Sequence, residues 1–231
     1  MWDNSSMDKI LLIDKPAGWT SFDVVAKIRG AARQASGDKK IKVGHAGTLD
    51  PFATGLLIVL AGRENTAKQD SFMKQDKEYE ATLKLGFTST TGDPEGEVSQ
   101  FPSNNFQFSV VDVEKVLKRF KGEISQIPPT YSAIKIDGKR AYKLAREGKA
   151  PEMKARKVTI YSLIIEDFEY PELKIVVKCS SGTYIRTLAC DIGMTLGPGA
   201  YLTGLRRTKI GEYDIKDALT VEEAITELSF T

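Results

Sequence analysis

The segment from Val43 to Leu57, VGHAGTLDPFATGLL, constrains this chain more than any other. It holds three glycines, the chain's single histidine (His45) and an Asp-Pro bond, and it runs directly into an apolar stretch, Leu56 to Ala61. That stretch is continuous and β-prone, as expected of a strand buried on both faces. Gly44 to Gly55 is expected to be a structured loop. The residue before a proline is pushed out of the helical region, so Pro51 holds Asp50 extended. Gly47 and Gly55 permit tight turns on either side. A carboxylate fixed on a rigid loop at a strand's mouth suits nucleophilic or acid–base chemistry. Aspartate is also a frequent turn residue, and the pattern equally fits one that only caps the loop.

The flanking sequence reads as mixed α and β. Lys9 to Ile13 predicts a strand, with a turn at Asp14-Lys15-Pro16. Thr20-x-x-Asp23 is a capping-box-like start for a helix from about 22 to 34, with Val25, Ile28 and Ala32 on one face. Lys77 to Leu85 alternates strictly, with Tyr79, Ala81, Leu83 and Leu85 on one side, as in a half-buried strand. Residues 86–105, rich in Gly, Ser, Thr and Pro, read as a long loop. Ser109-x-x-Asp112 opens a helix with Val113, Leu117 and Phe120 inward. Residues 158–168 and 173–179 read as two strands joined at Tyr170-Pro171. Ile185, Leu188, Ala189, Ile192 and Leu196 form a helical stripe, and Thr220-x-x-Glu223 starts a last short helix. There is no regular βαβ alternation. The expected class is α/β in the α+β sense, with a mixed, largely antiparallel sheet flanked by helices.

Composition narrows the function classes. The chain has 231 residues, 41% hydrophobic and 28% charged, enough to bury a sizeable core. No apolar run approaches the ~20 residues of a membrane span, and the start does not read as a signal peptide. Two cysteines, Cys179 and Cys190, without a C-x-x-C spacing point to a reducing, cytoplasmic setting. One histidine and two scattered cysteines argue against a zinc site. Net charge is +2, but the window 129–157 holds nine basic and three acidic residues. Its local +6 leaves −4 for the remainder. A positive segment on a slightly acidic body fits a polyanion contact, and it fits a solvated, lysine-rich helix as well.

A second segment bears on chemistry. SSGTYIR, residues 180–186, joins a strand to the striped helix and puts Arg186 in that helix's first turn. A cation there opposes the helix dipole, and rules of this kind are broken where function demands it. A partly buried arginine there wants a carboxylate partner, and a bidentate Arg–Asp pair would keep the carboxylate ionised and oriented. Pairing with a nearby acid such as Asp191, or with none, fits the spacing as well.

LLIDKPAGWTSFDVV, GHAGTLDPFATGLL, DKEYEATLKLG, PPTYSAIKIDGKRAY, SSGTYIRTLACDIG and YLTGLRR occur in this order. Together they resemble the bacterial tRNA pseudouridine synthases of the TruB family, which modify uridine 55 of the T-loop. The resemblance runs from about residue 9 to about 228. It implies the pseudouridine synthase fold, one catalytic domain over 8–231, and a tRNA-contacting insertion at about 129–157. It implies Asp50 as the attacking carboxylate, at C6 of the base or C1′ of the ribose. Tyr79 would pack on the target base and is a candidate for removing a proton; Arg186 would pair with Asp50. Tyr184 and Leu205 would line the uridine pocket, and His45 would stack into the gap left by the flipped nucleotide. Lys139, Arg140, Lys143 and Arg146 would meet phosphates, with Ala141, Leu144 and Ala145 docking their segment. The expected partner is the tRNA T-arm, met by a monomer without metal or cofactor. Many members carry a C-terminal PUA domain; none is expected here, since little follows the LRR segment.

Two other readings are available. One is a binding-only RNA module, against which Asp50, Tyr79 and Arg186 all being present argues. The other is a metal-dependent phosphoesterase using Asp14, Asp50 and Asp93, which needs those carboxylates clustered.

Overall fold

The computed structural model describes residues 8–102, 106, 108–132, 134–136, 138–147, 149 and 152–229. The chain forms two compact units, Met1–Tyr79 with Arg206–Thr231, and Glu80–Leu205.

In the first unit β1 (Ile10–Lys15) is followed by α1 (Ser21–Ser36), β2 (Val43–Ala46) and β3 (Thr54–Ala61). Two short helices follow, α2 (Arg63–Ala67) and α3 (Gln69–Met73), and then β4 (Lys77–Leu85), of which residues up to Tyr79 belong here. β3 is the organising strand. β1 pairs with it antiparallel from Ile10↔Leu60 to Lys15↔Gly55, and β2 antiparallel from Val43↔Ala61 to Ala46↔Ile58. Its alternate residues feed two cores. Leu57 and Val59 join Leu11, Ile13, Val24 and Ile28, whereas Leu56, Ile58 and Leu60 join Phe72 and Ile210. A strand apolar on both faces stays put because a one-residue slip would exchange its two cores. Each fully buried Leu or Ile here contributes roughly 1.5–3 kcal/mol.

α1 begins where Thr20 and Asp23 cap one another reciprocally, and it ends at Gly37 in the left-handed region. It packs against α7 (Val221–Ser229), whose start is closed by the same device: Thr220 N–H donates to Glu223 Oε2 and Glu223 N–H to Thr220 Oγ1.

In the second unit β4 leads into the hairpin of β5 (Phe87–Ser89) and β6 (Val98–Gln100), then α4 (Val110–Lys118) and β7 (Gly122–Gln126). A small hairpin, β8 (Lys135–Ile136) with β9 (Lys139–Arg140), precedes α5 (Ala141–Arg146). β10 (Arg156–Glu169) pairs antiparallel with both β7 and β11 (Glu172–Cys179). α6 (Ile185–Leu196) then leads into β12 (Ala200–Ile210), which passes into the first unit after Leu205. There β12 lies parallel to β3 at Arg206↔Thr54 and Arg207↔Gly55, and β13 (Tyr213–Asp214) closes on its end. The recorded pairings are thus mostly antiparallel, as expected. Among the described residues no helix is long and apolar enough to cross a membrane.

Four readings needed correction, and one strand went unread. The first strand continues through Asp14 and Lys15, because Lys15 finds hydrogen-bond partners that let it be buried. The loop around Asp50 is shorter than read: Val43–Ala46 is a strand edge on β3. The presumed long loop 86–105 contains the β5–β6 hairpin, whose polar residues bond locally. β12 was not foreseen, since two adjacent arginines and Gly204 break its alternation. Phe120, read as an inward residue of α4, lies beyond that helix's end and is half-buried.

Candidate active site

His45, Asp50 and Tyr79 lie in the first unit; Tyr184, Arg186 and Leu205 lie in the second. Asp50 sits between β2 and β3 in a turn whose backbone is fixed from several directions. The Ser21 hydroxyl, 2% exposed, accepts from the Leu49 N–H at 2.9 Å and donates to the Leu49 carbonyl at 3.2 Å. On the far side the Pro51 carbonyl accepts from Gly18 N–H at 2.9 Å and from Lys15 Nζ at 3.2 Å. Lys15 is fully buried and also donates to the carbonyls of Pro16 (2.8 Å) and Trp19 (2.6 Å), whose dipoles help solvate its charge. The Ala53 N–H donates to the Asp50 carbonyl at 3.1 Å, closing the turn.

The two ends of the loop meet Arg207, 1% exposed. Its Nε donates to the Leu56 carbonyl at 2.8 Å and a terminal nitrogen to the Gly47 carbonyl at 2.9 Å. Gly55, at φ +100°, permits this closeness: a Cβ there would stand 2.4 Å from the Arg207 carbonyl oxygen. The neighbouring Arg206 turns the other way and grips Asp14 bidentately, at 3.1 and 2.7 Å.

His45 is half-buried on β2, where the Gln69 side-chain amide donates to its carbonyl at 2.8 Å. Tyr79 is 8% exposed on the inward face of β4.

In the second unit, the turn before α6 is held by paired bonds between Thr159 and Ser180. Tyr184 is the residue before the helix, and buried Gln126 grips its backbone at both groups. The Tyr184 N–H donates to Gln126 Oε1 at 2.8 Å, and Gln126 Nε2 donates to the Tyr184 carbonyl at 3.0 Å. Arg186 follows in the first turn, as read from sequence, and is 5% exposed. Its guanidinium pairs with Asp93 at 3.1 Å and donates to the carbonyls of Thr91 (3.1 Å) and Tyr131 (2.8 Å). Asp93 is 2% exposed; its other oxygen accepts from Thr91 Oγ1 and the Glu95 N–H. A cavity of about 430 Å³ opens beside this pair, lined among others by Thr91, Tyr131, Lys149 and Thr187. Cys190, also on its wall, has its thiol pushed up by burial and by the Asp191 carboxylate, with Arg186 opposing. Asp191, the acid suggested as an alternative partner for Arg186, is half-buried and its carboxyl is raised by burial.

Leu205 is half-buried near the end of the second unit's part of β12. Of the four basic residues expected at phosphates, Lys139 is exposed; the side chains of Arg140, Lys143 and Arg146 lie outside the described residues. Ala141 is fully buried and Leu144 and Ala145 partly so. Asp14 and Asp93, needed for a metal-binding carboxylate cluster, are each engaged by an arginine. Sequence reasoning missed Ser21, Gln126 and Arg207 altogether. The signal that could have exposed Arg207 is the Gly47…Gly55 pair, since glycine in a strand start marks a close approach.

Residues 33–185 match the TruB family pseudouridylate synthase N-terminal domain, and residues 186–229 match the tRNA pseudouridylate synthase B C-terminal domain. The chain belongs to the TruB family of pseudouridylate synthases, and is therefore an isomerase. It is 49% identical to tRNA pseudouridine synthase B of Phocaeicola vulgatus over 95% of this chain and 92% of that protein. It is 50% identical to the protein of the same name from Parabacteroides distasonis, over 93% of this chain and 91% of that one. Among solved structures, a chain of a Cbf5-Nop10-Gar1 complex superposes with a TM-score of 0.71 at 28% identity. That match covers 96% of this chain but 54% of the other, so this chain spans about half the solved chain's length.

Proposed function

We propose that this protein converts one uridine in the T-loop of tRNA, position 55 of the TΨC arm, to pseudouridine, with Asp50 as the attacking carboxylate. The observation that carries the reading is the immobilisation of Asp50 by bonds to Leu49 on one side and to Pro51 on the other. A nucleophile held so has little backbone freedom left to lose on reaching its target, which is how positioning lowers a barrier. The relatives' shared name, tRNA pseudouridine synthase B, supports tRNA as substrate.

The reaction conserves atoms and electrons. The C1′–N1 bond breaks, the detached uracil turns, a C1′–C5 bond forms, and C5 loses the proton that N1 ultimately gains. No redox partner is therefore required. Tyr79 offers a ring to pack on the uracil and a candidate acceptor for the C5 proton. Arg186, oriented by Asp93 and two carbonyls, supplies the guanidinium of the catalytic set. Tyr184 and Leu205 line the base, and His45 replaces the extracted nucleotide in the T-loop stack, recovering part of an unstacking cost of a few kcal/mol. Lys139, Arg140, Lys143 and Arg146 engage backbone phosphates. The enzyme works in the cytoplasm as a monomer.

The test is to incubate the protein with an unmodified tRNA transcript and map pseudouridine by carbodiimide modification and reverse transcription. A single stop at the T-loop uridine is expected, absent when that uridine is replaced by cytidine. Modification at another site would contradict the proposed position.

A further inference from the structure

The geometry points to Arg207 as the positioning residue of the loop that carries Asp50, an inference that rests on Asp50 being the attacking group. One guanidinium bridges the carbonyl of Gly47, where the loop leaves β2, and that of Leu56, just after it enters β3. Ser21, Gly18 and Lys15 hold the middle of the same loop at Leu49 and Pro51, so Arg207 supplies what they do not: the spacing of the two ends. The side chain is 1% exposed, and among the described residues no carboxylate pairs with it. Burying a guanidinium against neutral carbonyls is a costly way to fill space, and an apolar side chain of similar length would serve packing at least as well. A rigid, planar guanidinium sets the separation of two carbonyls, which an ammonium on a flexible stem sets less firmly and a thioether not at all.

The surrounding sequence is fitted to this contact. Gly47, at φ +91°, would bring a Cβ to 3.4 Å from a terminal guanidinium nitrogen. Gly55 would bring one to 2.4 Å from the Arg207 carbonyl oxygen. Gly55 thus clears space for the Arg207 backbone, while Gly47, in ordinary contact with the guanidinium, supplies the positive φ at the carbonyl it holds. The parallel register Arg207↔Gly55 fixes the backbone from which the guanidinium reaches.

The experiment compares Arg207→Lys, Arg207→Met and Gly47→Ala with the unsubstituted protein and with Asp50→Ala. Single-turnover pseudouridine formation on an unmodified tRNA transcript is measured beside tRNA binding by filter retention and thermal melting. Arg207→Met is expected to slow the chemical step roughly hundredfold and Arg207→Lys roughly tenfold, with tRNA Kd within about threefold, because misplacing a reacting group lowers the rate without touching binding. Gly47→Ala, which strains the φ +91° backbone at the carbonyl that Arg207 holds, is expected to slow the step as well, and Arg207→Lys decides the matter if Arg207→Met does not fold. A purely structural role would lower the melting temperature of folded variants and leave the single-turnover rate intact, and that result overturns the proposal. If Asp50→Ala keeps its rate, the reading of the nucleophile falls and this proposal with it. If Asp50→Ala is inactive and the folded Arg207 and Gly47 variants run at full speed, this proposal alone falls.

Discussion

Arg186 and Asp93 form an ion pair at 3.1 Å, with side chains 6% and 2% exposed. The pair joins the first turn of α6 to the turn of the β5–β6 hairpin. A cation at that end of a helix is disfavoured by the dipole, and the Asp93 carboxylate offsets the effect. Removing one member of a buried pair takes charge compensation away from the other. Asp93→Asn is therefore expected to lower stability by about 3 kcal/mol, measured by denaturant unfolding. Because Arg186 loses its orientation, the single-turnover rate should fall as well while tRNA binding holds. A variant of unchanged rate would mean the pair serves the fold alone.

At Gly55, β3 lies directly against the β12 backbone at Arg207. Gly55→Ala combines a positive φ that side chains rarely adopt with a Cβ 2.4 Å from backbone. Strain and overpacking together predict a loss of about 3 kcal/mol or more. Gly182, also at positive φ but with nothing within 4 Å of a Cβ, serves as the control for strain alone. Urea denaturation of Gly55→Ala and Gly182→Ala should separate the two effects.

Three helix starts carry the same acid-sensitive device. Hydrogen bonds from Thr20 hold Asp23 below its ordinary 3.8, those from Ser109 do the same for Asp112, and those from Thr220 hold Glu223 below 4.5. A carboxylate depressed on folding stabilises above its unfolded value and loses that contribution as pH falls through its folded value. Tm should thus be nearly flat from pH about 7 to 5 and decline below about 4.5. Asp23→Asn and Asp112→Asn should each make that decline shallower; a steeper one would contradict the assignment.

The basic segment should reveal itself through salt. Each phosphate contact contributes about one unit to the slope of log affinity against log salt. Replacing Lys139, Arg140, Lys143 and Arg146 together by alanine should weaken tRNA binding and flatten that slope, in titrations between about 50 and 200 mM salt. An unchanged slope would place the RNA elsewhere.

What the sequence disclosed follows from the range of the forces involved. α1, β3, β4 and α6 were legible because their periodicity and caps are local. The β5–β6 hairpin was not, since its Ser, Thr and Asp residues bond within the turn and leave no apolar alternation. β12 was hidden by Arg206 and Arg207, two charges inside a strand, tolerable only because Asp14, Gly47 and Leu56 receive them. Asp50 and Arg186 drew notice through local oddities, an Asp-Pro bond and a cation at a helix start. The partner of Arg186 in the β5–β6 turn, and the hold of Ser21 on Leu49, are long-range contacts that leave no spacing signature in a single chain.

The central claim is that the carboxylate of Asp50 performs the attack. The direct measurement is pseudouridine formation by Asp50→Ala under single-turnover conditions, with tRNA affinity measured on the same preparation. The account predicts no detectable product while Kd stays within about tenfold, since binding rests on phosphate contacts elsewhere. Product formed at an appreciable fraction of the unsubstituted rate would contradict it.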